Sequence, residues 1–434
     1  MSLINDVRKT INYAGRNGAV EAYYAAMERM RSKVGSAYEY DAPSQEELKR
    51  QRDEYASLEE QGAELPSISI LVPLYMPDMI LFEEMIISVM NQTYGNWELV
   101  IADGSPDDSA EETADKFECS KIAYYHLDKN GGISYNTNAA AAHAHGKYIA
   151  LLDYDDLLAE DAIYEITKEI LENEPEIIYS DEDKCDISGK KFFEPNIKPD
   201  FNPDYFLANN YICHLTVMQT ELFRALKLRS DYDGAQDYDL LLRAPWSGIR
   251  HIRKVLYHWR THAGSTAGNP ASKNYAYEAG LRALEDYLRV CRIKATVTHS
   301  RHRGFYNINY IPDIFEQRDD VGIVGGKVLD KNRRIVGGMM DAEGNVFFKG
   351  MHELESGPMH RADTRQDAEA VDVRCMQIRD SLRGLYQDVF NADYDEHVFK
   401  GNDDLTARSI EFCKRAREKG YLVLWDPSMT YTIR

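Results

Sequence analysis

The segment Lys147-Tyr-Ile-Ala-Leu-Leu152 runs directly into the acidic group Asp153-Tyr-Asp-Asp156. Its mostly apolar residues are typical of a short strand that is buried inside a sheet. Three carboxylates then follow within four residues, and carboxylates crowded at a strand end repel one another unless a cation joins them. The stretch therefore predicts a buried strand that ends at a polar site.

Three similar apolar runs precede this strand, at residues 67–73, 97–102 and 122–126. Helical patterns separate the four runs, and they cover the stretch up to about residue 90 and then residues 109–118 and 134–145. Strands that alternate with helices predict an α/β protein with a parallel, doubly wound sheet. Ligands of such sheets bind beyond the carboxyl ends of the strands, where Tyr75, Asp103 and Asp153 fall.

The spacing of the acidic group also predicts a metal site. In extended geometry Asp153 and Asp155 point the same way, so the two carboxylates could share one cation. A hard divalent ion, Mg²⁺ or Mn²⁺, is held by one or two carboxylates and completes its shell with water and phosphate. The alternative is a solvated acidic turn that caps the next helix, and Asp156 in particular is open to that role.

Composition limits the classes of partner. The 434 residues are enough for two domains, with 44% hydrophobic and 28% charged residues. A formal net charge of -21 disfavours a nucleic-acid partner, because nucleic-acid phosphates need a basic surface. A nucleotide ligand stays compatible with this charge, since a bound metal ion can neutralise a diphosphate inside an acidic site.

The sequence also bears on the compartment. No apolar run approaches the roughly 18–20 residues that span a bilayer, and the N-terminus lacks the apolar core of a secretory signal. The six cysteines are widely spaced without a C-x-x-C pair, which predicts reduced thiols. We therefore expect a cytoplasmic protein, and peripheral contact with the inner face of a membrane is compatible with this location.

A series of motifs, in this order, resembles the family 2 glycosyltransferases of the GT-A fold over residues 66–300. The motifs are Ile70-Leu-Val-Pro-Leu-Tyr75, Ser88-Val-Met-Asn-Gln-Thr-Tyr94, Trp97-Glu-Leu-Val-Ile-Ala-Asp-Gly-Ser105, Asn130-Gly-Gly-Ile133, Gly146–Asp156, Tyr179-Ser-Asp-Glu-Asp-Lys184, Gln236-Asp-Tyr-Asp-Leu240, and His258-Trp-Arg260 with His262 and Ser265. The combination is most similar to bacterial enzymes that build cell-surface polysaccharides.

The resemblance implies an inverting, hexosyltransferase-type enzyme on a GT-A-type mixed sheet. Such an enzyme takes a sugar from a UDP- or dTDP-sugar and places it on a hydroxyl of a saccharide or lipid-linked saccharide acceptor. The resemblance also implies Mn²⁺ or Mg²⁺ as cofactor. By position it assigns the donor to Pro73, Tyr75, Asp103, Asn130, Gly131, Asp153 and Arg260, the metal to Asp155, Asp153 and His258, and the acceptor to Asp181, Asp183 and His214.

The same resemblance makes Asp237 the general base that takes the proton of the acceptor hydroxyl. Asp239, two residues on, is the rival candidate, and its alternative role is that of a structural or helix-start acid. The cluster of His258, Arg260 and His262 suits phosphate and metal contacts. Tyr257 and Trp259 beside that cluster suggest packing as the alternative.

We expect three regions: a helical N-terminal arm at 1–64, a GT-A catalytic domain at 65–304, and a partial second glycosyltransferase-like lobe at 305–434. The arm carries no visible chemistry and is expected to pack or to support an oligomer. In the lobe, Gly401-Asn-Asp-Asp-Leu405 echoes the segment 234–240, and Val321–Leu329 resembles the part that follows a metal motif. The lobe lacks a nucleotide-binding half, so Asp403 has no sugar donor beside it. The expected role of the lobe is packing or acceptor binding.

Two other functions compete with this interpretation. A nucleotidyltransferase would need a glycine- and arginine-rich triphosphate loop near the first strand, and Leu74-Tyr-Met-Pro-Asp78 is not one. A non-catalytic module that binds nucleotide sugars would not need the complete acidic set of Asp103, Asp153, Asp155 and Asp237. The sequence does not specify the sugar.

Overall fold

The computed structural model describes residues 3–34, 38–262, 274–396, 399 and 405–433. The helices are α1 (Leu3–Asn17), α2 (Ala19–Val34), α3 (Gln45–Glu60), α4 (Met79–Met90), α5 (Ser109–Asp115), α6 (Ile133–His143), α7 (Ala162–Asn173), α8 (Pro203–Ala208), α9 (Thr220–Leu226), α10 (Gln236–Leu242), α11 (Asn274–Val290), α12 (Ile314–Gln317), α13 (Arg383–Phe390) and α14 (Leu405–Glu418).

The strands are β1 (Ile68–Leu74), β2 (Trp97–Asp103), β3 (Ile122–His126), β4 (Tyr148–Leu151), β5 (Leu157–Leu158), β6 (Ile177–Cys185), β7 (Phe192–Asn196), β8 (Thr216–Gln219), β9 (Ile249–Arg260), β10 (Ala295–His299), β11 (Tyr306–Tyr310), β12 (Val321–Leu329), β13 (Ile335–Gly337), β14 (Met339–Met340), β15 (Gln366–Asp367), β16 (Ala370–Val371), β17 (Met376–Ile378) and β18 (Leu422–Thr432).

The chain divides into two compact units. The large-sheet unit comprises Tyr38–Phe201 and Asn210–Tyr287, and the C-terminal unit comprises Met1–Ala37, Asn202–Asn209 and Leu288–Arg434. The division into three regions at residues 64 and 304 remains a prediction.

The large-sheet unit is built on one mixed sheet in the order β3-β2-β1-β4-β8-β6-β9-β5, with β7 paired to β6. The strands β3, β2, β1 and β4 run parallel, whereas β8 runs antiparallel to both β4 and β6. Strand β1 is buried on both faces, as expected for a central parallel strand covered by helices. The predicted doubly wound α/β sheet of GT-A type is confirmed.

The chain does not stay extended after β4. Residues 154 and 155 form a turn, and the backbone amide of Asp156 donates to the carbonyl of Asp153 at 3.2 Å. The premise that Asp153 and Asp155 share a direction because they lie in an extended strand is therefore wrong, since the two-residue alternation ends where the turn begins. The turn leads into β5, which pairs antiparallel with β9.

The C-terminal unit contains a smaller sheet whose pairing repeats part of the large one. Strand β12 pairs antiparallel with β13 and β17 and parallel with β18. Strand β6 makes the same three kinds of pairing with β7, β8 and β9. The partial GT-A-like lobe at 305–434 remains a prediction, and this pairing pattern agrees with it. Asp403 and Ser265 lie outside the described residues.

The N-terminal helix α2 packs within the C-terminal unit. The Glu28 carboxylate accepts the backbone amides of Ser356 and Gly357 at 3.1 and 2.8 Å, and the Tyr24 ring stacks on His352 at 4.1 Å. These contacts give this part of the arm a packing role. Among the described residues, no helix combines the length and the apolar character needed to cross a membrane.

Candidate functional site

A cavity lies where the parallel strands β1 and β4 end. Neighbouring parallel strands finish at the same edge of a sheet, so Pro73 of β1 and Asp153 after β4 reach the cavity together. The segment before β8 contributes Cys213 and His214, and helix α10 contributes Asp237. The structure therefore brings together four residues that the sequence assigned to donor, acceptor, metal and base.

Asp237 lines the cavity from the first turn of α10. Its Oδ2 atom accepts a hydrogen bond from Nδ2 of Asn210 at 2.8 Å and lies 3.3 Å from Sγ of Cys213. Burial raises the pKa of the Cys213 thiol well above its usual range, and the neighbouring charge of Asp237 adds to this effect. The thiol therefore stays protonated and acts as a donor to the carboxylate.

Asp239 has a different environment. Its carboxylate is buried and pairs with Arg229 and with Arg243, whose Nη2 atom lies 2.8 Å from Oδ2. Positions i and i+2 of a helix point to different sides, so Asp239 faces these arginines while Asp237 faces the cavity. Both carboxylate oxygens of Asp239 are held by guanidinium groups, which favours the structural role for this residue.

Asp153, Asp156 and His214 form a group whose candidate ligand atoms all lie within 4.8 Å of one another. Two carboxylates and one imidazole are a donor set that suits Mn²⁺, and carboxylates also suit Mg²⁺. Burial raises the pKa of Asp156 well above its usual range, with the neighbouring charges of Asp155 and Asp153 adding to the shift. Such crowding of acids fits a site that a cation would stabilise.

Asp155 lies in a separate pair with His262. Oδ2 of Asp155 is 2.8 Å from Nε2 of His262, and both side chains are only slightly exposed. The group of candidate ligands formed by Asp153, Asp156 and His214 does not include Asp155. The assignment of Asp155 as a metal ligand remains a prediction.

Tyr257 and His258 are neighbours on β9 whose side chains contact different residues. The Tyr257 hydroxyl donates to Oδ2 of Asp156 at 2.5 Å, and its ring stacks on His214 at 4.6 Å. Nδ1 of His258 lies 2.6 Å from Oδ1 of Asp183. Successive side chains of a strand point to opposite faces, so His258 is not brought to the group of Asp153, Asp156 and His214.

Sequence reasoning missed Tyr257 and Asp156 as members of the site. The signal that would have found Tyr257 is the alternation of β9: a residue next to His258 on a strand must face the other side. The sequence leaves a capping role open for Asp156, whereas in the structure its Oδ1 atom accepts the backbone amide of Arg260 at 2.7 Å and its Oδ2 atom accepts the Tyr257 hydroxyl.

The two acids assigned to the acceptor, Asp181 and Asp183, are both buried. Oδ1 of Asp181 accepts the backbone amide of Lys198 at 2.8 Å and lies 3.0 Å from Nε2 of His251. Oδ2 of Asp183 accepts the hydroxyl of Tyr38 at 2.8 Å. These contacts hold β6 in place, and an acceptor role for either acid remains a prediction.

The residues assigned to the nucleobase lie at the ends of β1 and β2. Tyr75 is 48% exposed just after β1. Asp103 is fully buried at the end of β2, where its carboxylate accepts the backbone amide of Ser105 at 2.7 Å and the hydroxyl of Tyr124. The Asp103 carboxylate therefore fixes the loop after β2. A nucleobase that contacted this carboxylate would have to do so beside these two hydrogen bonds.

Asn130 and Gly131 lie in the loop before α6, and Asn136 links this loop to the end of β1. Nδ2 of Asn136 donates to the carbonyl of Leu74 at 3.1 Å and to Oδ1 of Asn130 at 3.2 Å. The backbone amide of Gly131 donates to Oδ1 of Asn136 at 3.3 Å. Asn136 is a third residue that the sequence did not single out, although it lies in α6, the helix that follows this loop.

Arg260 ends β9 with its side chain fully buried. Its Nη1 atom pairs with Glu84 and donates to the carbonyl of Ile187 at 3.0 Å. The Nε and Nη2 atoms are buried without a hydrogen-bond partner among the described residues. Buried guanidinium donors are rarely left unpaired, so this arrangement is compatible with a guanidinium that binds an anion.

Comparison with known proteins adds to this geometry. Residues 69–232 match the family described as Glycosyl transferase family 2. An uncharacterized protein of Sinorhizobium fredii is 42% identical over 51% of this chain and 25% of its own length. The O-antigen biosynthesis protein RfbC of Myxococcus xanthus is 30% identical over 59% of this chain and 21% of its own length.

A further relative is covered more completely. An uncharacterized glycosyltransferase of Haemophilus influenzae is 32% identical over 43% of this chain and 68% of its own length. The chain spans only about a quarter of the length of the Sinorhizobium and Myxococcus relatives.

Proposed function

The chain belongs to glycosyl transferase family 2, and we propose that it is an inverting glycosyltransferase. In this proposal it moves a sugar from a UDP- or dTDP-sugar to a hydroxyl of a saccharide or lipid-linked saccharide acceptor. The O-antigen biosynthesis protein among its relatives supports a role in bacterial surface polysaccharide synthesis. The proposal includes a cytoplasmic location with peripheral membrane contact, and residues 65–304 as the catalytic domain.

The observation that carries the proposal is the position of Asp237 in the same cavity as Asp153 and His214. Asp237 takes the proton of the acceptor hydroxyl as that oxygen attacks the anomeric carbon of the sugar. A single in-line displacement breaks the bond to the diphosphate and inverts the anomeric centre. A positioned general base contributes roughly 10²–10⁴-fold to such a step.

Asp153, Asp156 and His214 are the residues that would hold Mn²⁺ or Mg²⁺. The ion, when bound, supplies electrostatic stabilisation of the charge that develops on the departing diphosphate. The Nε and Nη2 atoms of Arg260 have no hydrogen-bond partner among the described residues, which supports the assignment of this guanidinium to the phosphates. Pro73 lines the wall of the same cavity.

The alternative is a non-catalytic module that binds nucleotide sugars with the same side chains. The contrast between Asp237 and Asp239 favours the enzyme, because only one of the two acids is held toward the cavity. A binding module needs no proton acceptor there.

The test compares Asp237→Asn with the control Asp239→Asn. We expect Asp237→Asn to bind UDP- or dTDP-sugar with Mn²⁺ as the native protein does, by titration calorimetry, and to lose nearly all acceptor-dependent release of nucleoside diphosphate. Asp239→Asn should lose stability but keep turnover per folded molecule. Native turnover in Asp237→Asn would show that the base assignment is wrong, and the absence of acceptor-dependent release in the native protein would favour the binding module.

A further inference from the structure

The proposed base has its two carboxylate oxygens in different surroundings. Both donors that reach Asp237, the Asn210 amide at 2.8 Å and the Cys213 thiol at 3.3 Å, meet Oδ2. Within the described part of the chain, no donor forms a hydrogen bond with Oδ1 of Asp237. One oxygen is thus held by the protein, and the other is available to a hydroxyl that enters the cavity.

Asn210 makes this contact at a cost. While its Nδ2 atom donates to Asp237, its Oδ1 atom is buried without a hydrogen-bond partner among the described residues. A buried acceptor that has lost water and gained no donor opposes folding. An apolar side chain of similar size would avoid that cost, so stability alone does not explain an asparagine at this position.

A buried lysine, Lys198, holds the segment that carries Cys213. Nζ of Lys198 donates to the carbonyls of Ile212, at 2.8 Å, and His214. Nζ also pairs with Glu182 at 3.1 Å, and both side chains are almost fully buried. Because the carbonyls on either side of Cys213 are both tied to one ammonium group, the thiol is held at a fixed position beside Asp237.

We propose that Asn210 is a positioning residue for the transfer reaction: its amide, with the Cys213 thiol, fixes Oδ2 of Asp237 and leaves Oδ1 as the atom that accepts the proton of the acceptor hydroxyl. This inference rests on the proposed function of Asp237. Asn210 acts through the carboxylate and not on the substrate. Its loss therefore affects the rate of transfer more than the binding of the donor.

The test uses Asn210→Leu, which keeps the side-chain volume and removes both amide atoms. We expect kcat to fall on the order of 10- to 100-fold, since a misplaced catalytic group loses that much. The affinity for the donor nucleotide should change less than about twofold, and the urea midpoint should not fall, because the unpaired acceptor is gone.

The matched control is Gln92→Leu in the same unit. Gln92 is also a buried amide, but it donates to the carbonyls of Ser88 and Ala159 and accepts the backbone amide of Ile163. We expect the control to lower the urea midpoint and to leave kcat per folded molecule unchanged. A merely structural Asn210 would behave like the control, and that result would overturn the inference.

A double variant separates this inference from the proposed function. In the Asp237→Asn background, adding Asn210→Leu should lower the residual turnover by less than about twofold, because residues that act as a unit are not additive. A further tenfold loss would show that Asn210 acts independently of Asp237. If Asp237→Asn alone kept native turnover, the base assignment and this inference would both fail. Full activity of Asn210→Leu with an inactive Asp237→Asn would overturn only the positioning role.

Discussion

The hydroxyl of Tyr257 donates to Oδ2 of Asp156 at 2.5 Å, and the same ring stacks on His214 with an interplanar angle of 10°. One side chain of β9 thus supports two of the three groups that could hold a cation. Tyr257 and Asp156 are separated by 101 residues in sequence. This contact links the end of the central strand β4 to the far side of the sheet.

Tyr257→Phe removes this hydrogen bond and keeps the stacking. We expect a loss of roughly 1–3 kcal/mol in the free energy of unfolding, because the buried Asp156 carboxyl loses one of its partners. Donor nucleotide binding in the presence of Mn²⁺ should weaken as well, since Asp156 is then less well oriented. Urea denaturation and titration calorimetry measure the two effects. Unchanged nucleotide binding would show that Tyr257 does not contribute to the site.

A pair of histidine variants tests which imidazole belongs to the metal site. His214→Gln should weaken the Mn²⁺-dependent part of donor binding, because His214 lies with Asp153 and Asp156. His258→Gln should leave that part unchanged and lower stability, because Nδ1 of His258 lies 2.6 Å from the buried Asp183. Calorimetric titration of nucleotide with Mn²⁺ and with chelator provides the comparison. The reverse pattern would restore the assignment of His258 as ligand.

Gly146→Ala tests the close approach of the segment before β4 to the beginning of β1. A Cβ atom at this position would lie 2.6 Å from the backbone amide nitrogen of Ser69 and 2.9 Å from the carbonyl of Ser67. Because paired strands cannot easily separate, we expect a loss of about 1–3 kcal/mol in stability. The control Gly384→Ala, with open space around its added Cβ, should be neutral or slightly stabilising in urea denaturation.

His360 in the C-terminal unit predicts a pH dependence of stability. Burial, with a smaller contribution from the charge of His302, lowers the pKa of His360 to about 4. The unfolded chain therefore takes up the proton first, near pH 6.5, so the free energy of unfolding falls as the pH drops from about 6.5 to about 4. The slope contributed by one such group reaches at most about 1.4 kcal/mol per pH unit.

The variant His360→Asn should make that slope shallower. Asparagine does not titrate and tolerates the left-handed backbone of this position, where φ is 57°. Urea denaturation at several pH values between 4 and 7 measures the difference from the native protein. Equal slopes would show that His360 does not carry the effect.

The sequence determined that β1 to β4 are strands of a parallel sheet, because each alternates with a helix and ends at a breaker or a polar cluster. It also supplied Pro73, Asp153, His214 and Asp237, which the structure places around one cavity. Motif order was enough for these residues because each of them lies at or near an end of a strand or helix, and those ends meet at one edge of the sheet.

Only the tertiary structure decided which side chains touch. Asp155, in the turn after β4, lies beside His262. On β9, Tyr257 contacts Asp156 and its neighbour His258 contacts Asp183. The contact between Asn210 and Asp237 likewise joins residues from different segments. Side-chain direction depends on strand register and on the point where a strand ends, and pairing between distant segments, which no local pattern of residues encodes, fixes both.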